Sequence, residues 1–190
     1  MSNGVRMNHR GVFLDLNGTL VEPLKPERLD ELTVIPGAVE AVSRLSAAGF
    51  ICPVVTVQSR IGKALFSAAQ FEAWFARFAA DLRSRGAHVV GPYVCPHRFI
   101  ESCACKKPNT LLYERAAADH ALNITQSVVI GDSGDDMRAA RRLGARGCLV
   151  RTGWAADNRV VDAAAPDASV VAVSIGRAVD WILAGLTAET

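Results

Sequence analysis

Four stretches of the chain carry side chains able to do chemistry. Residues 13–20, Phe-Leu-Asp-Leu-Asn-Gly-Thr-Leu, deliver Asp15 from an apolar run into a glycine turn. A carboxylate placed there can attack phosphorus or carbon, or it can bind a hard cation. Residues 131–136, Gly-Asp-Ser-Gly-Asp-Asp, add oxygen ligands, Asp132 first among them. A Mg2+ between Asp15, Asp132 and a phosphoryl oxygen would clamp a reacting group. Thr56 closes an apolar run and is followed by Gln58 and Ser59, a set suited to phosphate oxygens. Lys107 precedes Pro108 and an expected helix start, and offers a fixed positive charge for charge that develops during reaction. Acids at 135 and 136 are equally explained as helix-start residues favoured by the dipole. Asp15 and Asp132 together are not.

The cysteines form the other cluster. Five is an odd number, which argues against a complete disulfide framework. Cys52 and Cys148 lie in apolar runs and read as small buried hydrophobes. Cys95 with His97, and Cys103 with Cys105, are pairs separated by one residue. In extended chain the members of such a pair point the same way. Three thiolates and an imidazole make a tetrahedral set suited to structural Zn2+. The alternatives are a disulfide or unliganded buried thiols, with an iron–sulfur cluster or a catalytic cysteine more remote. Cys105 is two residues from Lys107, so a metal there would fix the lysine's backbone without touching substrate.

The elements that must position these residues follow from hydrophobic patterning. Strands are expected at 11–14, 50–56, 88–94, 127–130, 147–150 and 170–173. Helices are expected at 38–48, 67–85, 110–120 with Asn109 as N-cap, 135–143 and 175–186. Strands alternating with helices define a doubly wound α/β fold with a mostly parallel sheet. Ligands in such sheets bind at the carboxyl ends of the strands. Asp15, Thr56, Cys95 and Asp132 each fall at one. Residues 155–166, rich in Ala and Asp, give the weakest pattern.

At 190 residues the chain is long enough for one well-filled core. The expected organisation is an N-terminal tail over 1–10 and a single domain over 11–190. A net charge of +2 and 21% charged residues give no pointer to nucleic acid or membrane. The chain has neither a signal-like start nor an apolar run of about 18 residues. A cytoplasmic monomer acting on a small metabolite is the expectation.

The order Asp-x-Asn-Gly-Thr, Thr56, Lys107-Pro108 and Gly131-Asp132-x-x-Asp-Asp resembles the haloacid dehalogenase (HAD) superfamily. The stretches VVTVQSRI, CPH…CACKKP and GDSGDDM resemble its heptose-bisphosphate and histidinol-phosphate phosphatase branch, over residues 11–153. The resemblance implies a Rossmann-like HAD sheet with Asp15 as a nucleophile that forms an aspartyl-phosphate. Thr56 and Lys107 would steady the phosphoryl group. Asp15, Asp132 and the backbone carbonyl of Asn17 would hold Mg2+, with Asp136 supporting that loop from behind. It also implies a zinc loop over 95–105. The intervals 20–55 and 57–105 leave no room for a cap domain, so the expected site is capless and open.

Position 17 departs from the pattern. The resembling phosphatases have an acid there, which protonates the leaving alcohol and then deprotonates the attacking water. An amide does neither, and losing a general acid–base group typically costs about 10²–10⁴ in rate. Four explanations are open. Glu22 takes over the proton transfers; the substrate has a leaving group needing little protonation, such as an acyl or anomeric phosphate; deamidation at Asn17-Gly18 restores an acid; or the protein binds a phosphorylated ligand and turns it over poorly. Residues 21–26 also replace an Asp-His-Gly-Tyr-like loop, and Val57 replaces an asparagine. Lys106 replaces an arginine and so meets an anion as a point charge instead of a planar fork. The expected activity is Mg2+-dependent phosphate release from a small metabolite resembling a heptose bisphosphate or histidinol phosphate. The alternative is an impaired relative that binds a phosphorylated ligand. A carbon–halogen hydrolase fits poorly, because the Asp132 loop would have no use there.

Overall fold

Val12, Phe13 and Leu14 are all fully buried, which a strand achieves only when both faces of its sheet are covered. In the computed structural model of the chain, residues 9–187 are described. The order of elements is β1 (Val12–Leu14), β2 (Val21–Glu22), β3 (Thr33–Val34), α1 (Ala38–Ala47), β4 (Pro53–Val57), α2 (Ser59–Gly62), α3 (Ala68–Ser84), β5 (Val90–Cys95), α4 (Leu111–Asp119), β6 (Val128–Gly131), α5 (Gly134–Leu143), β7 (Arg146–Val150), α6 (Asn158–Ala164), β8 (Val170–Ala172) and α7 (Ile175–Thr187). Six strands form one sheet in the order β5-β4-β1-β6-β7-β8, every pair parallel. β2 and β3 pair as a small antiparallel hairpin.

Alternation along β1 divides the core. Val12 and Leu14 pack with Val42 of α1, Phe71 of α3 and Val179 of α7. Phe13 points to the other face, among Tyr113 of α4 and Ala139 and Ala140 of α5. Its ring meets Tyr113 edge-on at 5.5 Å between centroids. Fully burying an apolar side chain of this size contributes about 1.5–3 kcal/mol. The chain leaves β1 for β4 and β5 on one side, then crosses back to β6 on the other. The reversal opens a crevice at the carboxyl ends of β1, β4 and β6.

Several expected boundaries shift. The strand expected over 50–56 begins at Pro53, because Ile51 makes only an isolated bridge with Gly11. Ser67 is the N-cap of α3, closing a capping box with Gln70. Asn109 is not the N-cap of α4: Thr110 holds that position without a side-chain cap, and Asn109 Nδ2 donates to the Cys103 carbonyl at 2.9 Å. The weak segment 155–166 folds as α6 between two short 3-10 turns. It buries Ala155 and Ala164 against Met137 and Leu149. Residues 1–8 of the expected tail lie outside the described residues. His9 and Arg10 belong to the fold, since His9 bridges Leu122 and the Arg10 carbonyl accepts from Ile51 N. Apart from the sheet strands β4 and β5, the interval 20–55 holds the β2–β3 hairpin, one 3-10 turn and α1, and the interval 57–105 holds α2, α3 and the cysteine loop.

Candidate active site

Lys107 enters the crevice from the loop between β5 and α4 and ties two strand ends together. Its Nζ donates to Asp15 Oδ1 at 2.6 Å and to Asp136 Oδ1 at 2.7 Å. Asp15 follows β1, while Asp136 lies in the first turn of α5 after β6. Ser133 Oγ, the N-cap of α5, donates to Asp136 Oδ2 at 2.5 Å and fixes that carboxylate. Lys107 holds Oδ1 of Asp15 and leaves Oδ2 outside that ion pair. Asp132 is held by the Trp154 N–H, which donates to Oδ2 at 2.7 Å.

Asp15, Asp132 and Asp136 bring carboxylate oxygens within 4.8 Å of one another. Three carboxylates around one ammonium leave an excess of negative charge in a buried place. Burial pushes the Asp15 carboxyl up to about 6 against the pull of Lys107. Burial, then the charges of Asp15 and Asp136, push Asp132 up to about 8. Burial works against the Lys107 ammonium, yet Asp136 and Asp15 outweigh it and hold the lysine well above its ordinary range. Three carboxylates this close could together hold a divalent cation, and hard oxygen donors suit Mg2+. The packing fits that use. Gly18 (φ +92°) and Gly153 (φ +51°) press against Asp132, and a Cβ on either would overlap its Oδ2.

Thr56, Gln58 and Ser59 share a cavity of about 320 Å3 with Asp15, Asn17, Lys106, Lys107, Asp132 and Asp136. That volume is enough for a small metabolite. Gln58 organises one wall: its Nε2 donates to Asn17 Oδ1 at 2.7 Å and to Thr56 Oγ1 at 2.9 Å. Asn17 Nδ2 donates to the Pro23 carbonyl at 3.2 Å. A carbonyl only accepts, so the nitrogen faces Pro23 and the amide orientation is set. Deamidation requires the Gly18 nitrogen to attack the Asn17 side-chain carbon. That N–H instead donates to the Val21 carbonyl at 2.7 Å, while both ends of the amide are held.

Two expected residues stand differently. Glu22, the suggested replacement acid, ends β2, is exposed, and does not line the cavity. Strand alternation is the reason: Val21 turns in and its neighbour turns out. Lys106 does stand at the cavity wall, but its ammonium donates to the carbonyls of Arg98 (3.3 Å), Phe99 (2.8 Å) and Glu101 (2.6 Å). It therefore ties down the cysteine loop. Sequence reasoning missed Lys25, Arg60, Ser133 and Trp154, all on the cavity. Lys25 Nζ lies 4.4 Å from the Trp154 ring centroid, and Arg60 Nε donates to the Pro26 carbonyl at 3.2 Å. Arg60, in the run Gln-Ser-Arg after Thr56, was the one within reach of a motif reading.

Cys95, His97, Cys103 and Cys105 converge in the loop that leads to Lys107. Cys95 Sγ is 3.7 Å from Cys103 Sγ and 3.6 Å from His97 Nδ1. Cys105 Sγ is 3.2 Å from His97 Nδ1 and 3.7 Å from Cys103 Sγ. Tetrahedral Zn2+ with Zn–S of about 2.3 Å and Zn–N of about 2.0 Å has edges of about 3.8 Å and 3.5 Å. Three of the four spacings lie close to those edges, the Cys105–His97 one is shorter, and the two sulfur–sulfur distances are too long for a disulfide; all five cysteines are free thiols.

A parallel α/β sheet with a carboxylate cluster and an anchored lysine at its strand ends defines a hydrolase of the Rossmann-like class. A family model described as "HAD-hyrolase-like" matches residues 104–176. The chain is 33% identical over 191 residues to the D-glycero-D-manno-heptose-1,7-bisphosphate 7-phosphatase of Thermosynechococcus vestitus, covering 93% of this chain and 96% of that protein. It is 32% identical over 145 residues to the histidine biosynthesis bifunctional protein HisB of Campylobacter jejuni, covering 74% of this chain and 41% of that protein. The crystal structure of the D,D-heptose 1,7-bisphosphate phosphatase from B. bronchiseptica, complexed with magnesium and phosphate, superposes with a TM-score of 0.84. That match has 25% identity and covers 93% of this chain and 99% of that one. The chain belongs to the haloacid dehalogenase family of phosphatases.

Proposed function

We propose that the protein releases phosphate from a small phosphorylated sugar in a Mg2+-dependent reaction, with Asp15 as the covalent nucleophile. The observation that carries this is Lys107 bridging Asp15 and Asp136 beside Asp132. The named activities of its relatives support the sugar phosphate, and the magnesium and phosphate bound in the B. bronchiseptica crystal structure support the cation. Mg2+ held by Asp15, Asp132 and the Asn17 carbonyl would neutralise charge on the phosphoryl oxygens. Asp15 Oδ2 attacks phosphorus, and Lys107, fixed between two carboxylates, lowers the energy of the developing negative charge. The Thr56 and Ser59 hydroxyls hold the phosphoryl oxygens, while Gln58 sets the Thr56 rotamer.

A panel of sugar monophosphates and bisphosphates, assayed with and without Mg2+, tests this. Phosphate release is expected from at least one member, falling about tenfold or more on chelation. Tight phosphate binding with no release from any member would support the impaired binding protein that Asn17 suggests.

The cysteine loop holds a structural Zn2+ in the same proposal. Its support is the tetrahedral spacing of Cys95, His97, Cys103 and Cys105. Metal analysis is expected to find about one zinc per chain, lost in Cys103→Ser. Because Cys105 lies two residues from Lys107, that variant is expected to lose activity too. Zinc retained in full by the variant would remove Cys103 from the set.

A further inference from the structure

Among the described residues, the carboxyl and imidazole groups that usually pass a proton to a departing oxygen are either missing from the cavity or already engaged by a partner. Among those residues the cavity is lined by no histidine, glutamate, cysteine or tyrosine. Its aspartates are all committed: Asp15 and Asp136 to Lys107, Asp132 to the Trp154 amide and the cation cluster, Asp135 to Arg138 at 2.6 Å. Asn17 is an amide whose oxygen already accepts from Gln58 and whose nitrogen faces Pro23. The group at position 17 can therefore offer its remaining N–H to an oxygen, and cannot give or take a proton.

We propose, on the phosphatase reading above, that Asp15 takes its phosphoryl group from donors with an acidic leaving oxygen, such as acyl, enol or anomeric phosphates, and keeps it as a long-lived aspartyl phosphate. In the first step an Asp15 carboxylate oxygen forms a bond to phosphorus. The bond from phosphorus to the leaving oxygen breaks, and its electron pair stays on that oxygen. No proton has to move when the leaving oxygen is that of a carboxyl or phenol, whose acids ionise near 4 and about 10. An ordinary alcohol, close to water at about 16, departs poorly as its anion. Positive charge at the mouth suits an anionic product: Lys25 lies over Trp154, and the Arg60 Nη groups have no partner among the described residues. In the second step water bonds to phosphorus, Asp15 leaves as a carboxylate, and the water's proton goes to solvent. With no base to receive that proton, the second step is slow for every donor alike.

Rapid mixing of the full chain and Mg2+ with aryl phosphates of graded phenol acidity tests this. Phenolate is followed by absorbance, and acid-quenched chain by intact mass and peptide mapping. The expected result is a burst of about one phenolate per chain, phosphoryl mass on the Asp15 peptide, and one common kcat for all activated donors. kcat/KM should fall roughly tenfold per unit rise in leaving-group pKa. Turnover with no burst, no phosphorylated chain and a flat kcat/KM series would overturn the inference and leave the phosphatase reading standing. No phenolate and no phosphorylated Asp15 from any donor would overturn both.

Discussion

Asp15→Asn is expected to lower phosphate release from every substrate by about 10⁴–10⁶-fold, since it removes the attacking oxygen and a cation ligand together. The fold should survive. The substitution is nearly isosteric, and the position sits in a buried cluster where negative charge is in excess. The same change should alter stability in a defined direction. Asp132 keeps its proton in the folded, metal-free protein up to about pH 8, whereas its ordinary value is 3.8. The folded state binds more protons than the unfolded chain between those values, so metal-free stability falls as pH rises from about 4 to about 8. An asparagine at 15 removes one of the charges that oppose Asp132 ionisation. The variant should therefore lose less stability across that window, and gain less from added Mg2+. Thermal unfolding at about pH 5 and about pH 8, with and without Mg2+, reads both effects. Turnover within about tenfold of the parent would eliminate the covalent route.

Asn17→Asp is the second large effect, and it runs the other way. A carboxyl at 17 would meet the Gln58 Nε2 donor with one oxygen and the Pro23 carbonyl with the other. A carbonyl accepts only, so the second oxygen bonds to it best when protonated. The surroundings thus favour an acid poised to hand its proton to a leaving alcohol. On alkyl phosphates the gain should reach about 10²–10⁴, the usual worth of one general acid–base group. On activated aryl phosphates kcat/KM should barely move, because those donors need no proton. Water attack on the phosphorylated Asp15 would also gain a base, so the burst should vanish. Steady-state rates on alkyl and aryl phosphates, measured side by side, check the contrast. Equal rates for parent and variant on alkyl phosphates would mean that position 17 takes no part in proton transfer.

Much of this site is legible in the amino-acid sequence, for physical reasons that differ by residue. Asp15, Thr56 and Asp132 each end an apolar run, and a parallel sheet gathers such ends into one crevice. The cysteine pairs were legible because i and i+2 spacing in extended chain leaves little choice of direction. Glu22 was misjudged because nearness along the chain says nothing about facing: β2 turns Val21 inward and Glu22 outward. Lys106 carries the charge expected of it, but its partners are carbonyls of a loop whose path only tertiary structure reveals. α6 leaves only a weak pattern because its seven residues turn just Val160, Val161 and Ala164 toward the core, too short a run to mark a helical face. Trp154 was invisible as a site residue, since its backbone amide, and no property of its type, holds Asp132.

Residues 105, 106 and 107 serve three unlike partners in succession: a thiol cluster, the carbonyls of the 98–101 turn, and the carboxylates of Asp15 and Asp136. No slack separates them. Inserting or deleting a single residue there would rotate every partner out of place at once. Between the cysteine pairs, by contrast, Phe99 and Ile100 are exposed at 62% and 82%. This stretch of the protein should tolerate changes of letter at its tip and reject changes of length at its base.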